Sequence, residues 1–183
     1  MDKVVVPWSV PVAVDDIPDS GMHIEIDAPA PVRAQVLALV EGLSTVHDLA
    51  SLSAVFDLTR RGAKVHVTGH VRARVGQTCV VTLEPMESQV DETVDLTFAP
   101  TAAGAGEPVG EIDIRPNDEP PEALPPGGML DLGALATEFL ALGIDLYPRK
   151  SGVEFAPLTV GEDAPKPFAA LAALKKRLSG GES

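Results

Sequence analysis

The sequence predicts an α+β domain: a meandering antiparallel β-sheet packed with helices, an acidic flexible insertion and a C-terminal docking helix. Three observations carry the prediction. Segments between residues 46 and 98 alternate apolar and polar side chains with period two, their connections are short, and the stretches 28–43 and 131–148 switch to helical spacing. The expected division is a sheet-and-helix core over 1–99, a linker or loop over 100–130 and a helix over 131–148 that completes the domain. A mostly irregular tail with a short amphipathic helix follows over 149–183.

In order, "KVVVPWSVPV" reads as an opening strand anchored by Trp8. In "GMHIEIDAP", Met22, Ile24 and Ile26 oppose His23, Glu25 and Asp27, the alternation of a half-buried strand. "APAPVRAQVLALVEGL" places Val32, Val36, Leu39 and Leu43 on one helical face, with Pro31 in the first turn and Gly42 as a stop. Next, Leu52, Ala54, Phe56 and Leu58 share a strand face, and "TRRGAK" turns the chain.

"VHVTGHVRARV" is the most legible strand. Val65, Val67, Val71, Ala73 and Val75 point one way, while His66, Thr68, His70, Arg72 and Arg74 point the other. Gly76 marks a bulge in this reading, beyond which Cys79, Val81 and Leu83 extend the apolar face. In "SQVDETVDLTF", Val90, Val94, Leu96 and Phe98 face inward, and Asp91, Thr93 and Asp95 face water.

Residues 99–129 hold seven Pro and five Gly with an acidic excess, too few apolar groups to offset the entropy of ordering. "EIDI" is a candidate short strand within them. "DLGALATEFLALGIDLYP" then restores a helix capped by Asp131, with Leu132, Leu135, Phe139 and Leu142 as its stripe and Pro148 as its end. "PFAALAALKKRL" is the tail's amphipathic piece, and its Lys175, Lys176 and Arg177 read as an ordinary solvated helix end. No internal repeat is evident.

The net charge of −13 is uneven: −7 over 1–99, −5 over 100–130 and −1 over 131–183. An acidic chain argues against a generic nucleic-acid coat and suits contact with basic partners. One cysteine excludes an internal disulfide framework and fits a reducing cytoplasm. The N-terminus lacks the features of a signal peptide, and no apolar run approaches the roughly 18 residues of a membrane span. The expected localisation is cytoplasmic.

Chemistry is sparse. His66 and His70 on one strand face stand roughly 13 Å apart at about 3.3 Å per residue, too far to share one ion. No metal and no cofactor is expected. Cys79 can be read as a nucleophile, as an arm of a metal clip or as a small buried residue; its apolar surroundings favour the last. No G-x-S-x-G elbow is present, and Gly104, Gly106 and Gly110 lack the lysine and the preceding strand of a phosphate loop.

The best candidate surface runs from Arg60 to Arg74, with five Lys/Arg, two His and no acid. Arg60, Arg61, Lys64, His66, His70, Arg72 and Arg74 are the candidate RNA contacts, as such a row can track phosphates. The rival reading pairs Asp91 and Asp95 with Arg72 and Arg74 across adjacent strands.

Three ordered blocks add to this: "VTGHVRARVGQTCVVTLEPMESQVDETVDLTFAP", "DLGALATEFLALGIDLYPRKSG" and "PFAALAAL". Together they resemble the YceD family, most closely its alphaproteobacterial branch, over most of residues 30–178. The resemblance implies a non-enzymatic cytosolic factor linked to accumulation of large-subunit (23S) ribosomal RNA. Many relatives carry a C-x-x-C pair before Leu-Glu-Pro; here Cys79 holds the first position and Thr82 the second, so a two-thiol role cannot operate within this chain. Cys79, Leu135 and Phe139 are assigned to the core.

The leading expectation is thus a ribosome-biogenesis factor acting by binding, with ribosomal RNA or a ribosome-assembly protein as partner. The rival is an acidic adaptor that engages a basic ribosomal protein or a nuclease through residues 100–130. The sequence sets no oligomeric state.

Overall fold

The computed structural model describes residues 7–42, 45–100, 121–125, 127–154 and 171. The chain divides into two units, Met1–Val153 and Glu154–Ser183; the described architecture belongs to the first. Its main sheet has the order β2-β3-β4-β5-β6, formed by Met22–Asp27, Val46–Arg61, Lys64–Thr78, Pro85–Pro100 and Glu122–Leu124. The first four strands make an antiparallel meander, and β6 joins β5 in parallel over Phe98–Pro100. A two-stranded sheet pairs β1 (Pro11–Ala13) with β7 (Met129–Asp131). Helix α1 is Ala30–Val40 and α2 is Leu132–Gly143.

The period-two pattern dictates which face of the main sheet is covered. Leu52, Ala54, Phe56 and Leu58 of β3 lie beside Val65, Val67, Val71, Ala73 and Val75 of β4, all buried, and Val90 and Val94 of β5 continue the layer. α1 packs against β3, while α2 packs against β4 and β5. Gly69 interrupts the apolar row of β4 for a steric reason. A Cβ there would lie 3.0 Å from the Phe56 ring and closer still to the Val55 carbonyl oxygen. Without it, Phe56 lies fully buried in the centre of the core.

Several boundaries differ from the sequence reading. The opening strand is shorter: Trp8 is buried, but extended pairing within the described residues starts at Pro11. The bulge expected at Gly76 lies instead in the facing strand, where the register shifts between Val46 and Asp48 and again between Leu49 and Ser51. Gly76 accommodates the first shift, since a Cβ there would come within 2.8 Å of the Asp48 Cβ. Near the second, Arg33 of α1 donates from Nε to the Leu49 carbonyl at 3.2 Å and from Nη1 to the Ala28 carbonyl at 2.8 Å.

The α1 stripe is also rotated. Val36 and Val40 are buried, with Val32 and Leu37 partly so, whereas Leu39 is 56% exposed. Leu43 lies outside the described residues. β4 ends at Thr78, so Val81 and Leu83 do not extend its face; the chain turns, and Leu83 is 77% exposed. α2 stops at Gly143 rather than at Pro148. Its buried side comprises Leu132, Leu135, Ala136, Thr137, Leu140 and then Ile144, while Phe139 is only partly buried and Leu142 is 72% exposed.

Within the expected linker, the described residues include β6 and the start of β7. "EIDI" and the tail's "PFAALAALKKRL", Leu171 apart, lie outside the described residues.

Candidate functional site

The polar face of the main sheet carries the candidate RNA contacts. β4 projects His66, His70, Arg72 and Arg74 there, and Arg61 and Lys64 face each other at the β3–β4 hairpin end. Arg60 pairs with Val65 and therefore points to the opposite side of the sheet. It reaches Asp15 at 3.4 Å and Asp19 at 3.9 Å. Six of the seven residues thus share one face, and Arg60 does not.

Neighbouring strands change the character of that face. Arg72 Nε donates to Asp91 at 3.1 Å, and His70 lies 3.4 Å from the same carboxylate. Arg74 contacts both oxygens of Glu87 at 2.9 and 3.1 Å, and His66 meets Asp95 at 2.7 Å. Ion pairing across β4 and β5 therefore occurs, with partners that differ from the expected set: Arg74 takes Glu87, and Asp95 goes to His66. On β2, His23 hydrogen-bonds Asp57 at 2.7 Å and Glu25 at 3.4 Å. Asp57 and then Glu25 hold its pKa above the ordinary value by favouring the charged ring.

Charge on this face is acidic in sum. Glu25, Asp27, Asp57, Glu87, Asp91 and Asp95 stand against Arg61, Lys64, Arg72 and Arg74, with His23, His66 and His70 among them. Among the described residues, Arg61 and Lys64 are the cations of this face without an ion pair.

The Cys79 loop follows β4. The Cys79 amide donates to the Glu84 carbonyl and the Leu83 amide returns to the Cys79 carbonyl, each at 2.9 Å, closing a tight turn. Leu83 adopts a φ of 58° in that turn. The segment after α2 packs on it: the Val80 amide donates to the Pro148 carbonyl at 2.9 Å, and Lys150 Nζ meets Glu84 at 2.6 Å. That ammonium lowers the Glu84 pKa.

Cys79 is fully buried. The Lys150 amide donates to its Sγ at 3.4 Å, and the polar groups of the turn, the Thr82 hydroxyl and amide first, then the amides of Lys150 and Val81, lower the thiol's pKa to about 6. Thr82, the second position of the C-x-x-C pair in the family resemblance, is the largest of these influences on the thiol. Among the described residues, no group of three or more His, Cys, Asp or Glu is placed to hold a metal ion.

A third feature escaped the sequence reading. A groove of about 390 Å³ lies between α2 and the end of β5 with β6. Leu96, Phe98, Leu135, Phe139 and Leu142 supply apolar lining, and Glu122 and Glu138 add carboxylates. Leu135 is buried, whereas the partial exposure of Phe139 reflects this opening. Helical periodicity identified the apolar residues but not which of them would remain uncovered.

The family model described as large ribosomal RNA subunit accumulation protein YceD matches residues 67–175. The chain belongs to the YceD family. The match takes in most of β4, all of β5, the Cys79 loop and α2, and leaves out β1, β2, β3 and α1. No curated protein and no solved structure matches the chain. The YceD description supports a role in ribosome biogenesis, at the level of large-subunit RNA accumulation. Among the described residues, no helix is long and apolar enough to cross a membrane.

Proposed function

We propose that this YceD protein supports accumulation of large-subunit ribosomal RNA in the cytoplasm by binding rather than by catalysis. Its partner on the sheet is a basic protein segment of the assembling ribosome. The observation that carries this reading is the acid excess around an already ion-paired cation row. Phosphate approaching Arg72 or Arg74 must displace a carboxylate and meet net negative charge, whereas a Lys- or Arg-rich segment meets a complementary potential. The buried sulfur of Cys79 has no solvent-facing surface for a substrate, which supports the non-catalytic reading.

The test is crosslinking in cells with joint identification of attached RNA and protein, followed by RNase treatment of the purified complexes. A basic large-subunit protein retained after RNase, and weakened by Asp91→Asn with Asp95→Asn, is the expected result. An association that vanishes with RNase overturns the reading.

A direct RNA contact is the second reading, favoured only at the hairpin end, where Arg61 and Lys64 carry no ion pair among the described residues. There, Arg61→Gln with Lys64→Gln weakens RNA binding across sequences and flattens its salt dependence. Unchanged binding in that variant removes this reading.

A further inference from the structure

We propose that the outer edge of β5, together with the groove at its end, is a strand-addition site. Its ligand is an extended segment of another protein in which apolar side chains alternate with Lys or Arg. The proposal deepens the basic-partner reading and rests on it.

The first observation is backbone pairing. β5 pairs with β4 along its length, but its other side meets β6 only over Phe98–Pro100. From Pro85 to Thr97, no strand among the described residues lies on that side. Alternate N–H and C=O groups there point away from β4, the template that strand addition uses. At about 3.3 Å per residue this edge is roughly 40 Å long, enough for a segment of about ten residues.

The second observation is what borders the edge on each face. On the helix side the edge is bordered by Met86, Ser88, Val90, Glu92, Val94 and Leu96, and the groove opens toward its Leu96 end, with Phe98 and Phe139 in its lining and Leu142 largely in solvent. On the other lie Glu87, Asp91 and Asp95. A strand laid beside β5 sends alternate side chains to these two faces, so the complementary sequence alternates apolar with cationic residues. Glu122 and Glu138 at the groove extend the same preference.

Charge also selects against a second copy. Antiparallel self-pairing about Asp91 would set Glu87 opposite Asp95 and Asp91 opposite itself, and like charges directly opposite are destabilising.

The test uses the full-length chain and a synthetic peptide of about ten residues alternating Val and Lys, with a Val–Glu peptide as control. The Val–Lys peptide should bind and slow amide hydrogen exchange across Pro85–Thr97, while the control should do neither. Leu142→Glu and Glu138→Lys, both at exposed positions, should each weaken binding by about tenfold with an unchanged melting temperature. Binding without altered exchange in β5, equal binding of both peptides, or crosslinks that fill the edge from elsewhere in the same chain or from a second copy would overturn the proposal. If the peptide fails while an RNase-resistant basic partner is still lost in the Asp91→Asn, Asp95→Asn variant, strand addition alone falls. If no such partner exists, the basic-partner reading falls as well.

Discussion

The Sγ of Cys79 accepts from the Lys150 amide at 3.4 Å, and the Thr82 hydroxyl and amide, the Lys150 amide and the Val81 amide all favour thiolate over thiol. The folded pKa of about 6 lies below the ordinary 9.0. A depressed acid stabilises the fold fully above its unfolded pKa, and that contribution is lost as pH falls through the folded value. Wild-type stability should therefore rise between pH 6 and 9 by an amount that Cys79→Ala removes, read as the difference in melting temperature between the two proteins. Ultraviolet absorbance should show a thiolate titrating near pH 6, and Thr82→Val should move that midpoint upward. Cys79→Ser should still bind its partner; loss of binding at unchanged thermal stability would contradict the structural role. Asp131 shows the same linkage at lower pH. Partial burial pushes its pKa up, but the Ser9 hydroxyl and the amides of Val10, Ala134 and Gly133 more than offset this and leave it lowered. Its contribution is present above the ordinary 3.8 and fades as pH falls through the lower folded value. Asp131→Ala should cost about 0.5–2 kcal/mol at neutral pH as a lost N-cap, and Asp131→Asn should cost less, both measured by denaturant unfolding.

Among the elements, α2 separates what was legible from what was not. Its existence, its Asp131 cap and its apolar content follow from the sequence, because caps and 3.6-residue periodicity are local signals. Its buried side does not, because nearly every position from Leu132 to Leu142 is apolar and periodicity cannot rank them. The structure buries Leu140 and exposes Leu142. Leu140→Ala should thus cost about 2–5 kcal/mol, whereas Leu142→Ala should stay within about 0.5 kcal/mol. Phe139→Ala should fall short of the about 3–5 kcal/mol of a fully buried ring. Equal effects at Leu140 and Leu142 would place the helix in the wrong rotation. β2, β3, β4 and β5 were readable because each alternates over many residues. β6 and β7, three residues each, are defined by distant partners and left no periodic trace. The ion pairs of the candidate site were legible only in part: the sequence offers Asp91 to Arg72, but that Arg74 takes Glu87 and His66 takes Asp95 depends on strand register.

For the whole molecule, the decisive quantity is the charge that the sheet presents after its strands are paired. Read alone, β4 is cationic; set between β3 and β5, its Arg72 and Arg74 face Asp91 and Glu87. These pairs are largely exposed, so Arg72→Gln with Arg74→Gln should change stability by only about 0–1 kcal/mol. RNA association should be unaffected by the same change if phosphate is not their partner. The complementary substitution is more informative. Replacing Glu87, Asp91 and Asp95 by their amides leaves the backbone register in place, frees Arg72, Arg74 and His66, and removes three negative charges. Affinity for ribosomal RNA at low ionic strength should rise in this variant, with a steeper salt dependence, because unpaired guanidinium groups can release phosphate counterions. Affinity for a Lys- or Arg-rich protein segment should fall. Filter binding across a salt series for the RNA and anisotropy for the basic peptide measure the two ligands on one protein preparation. If both affinities fall together, the acids act by holding the sheet and not by selecting a partner, and the charge argument fails for both ligands.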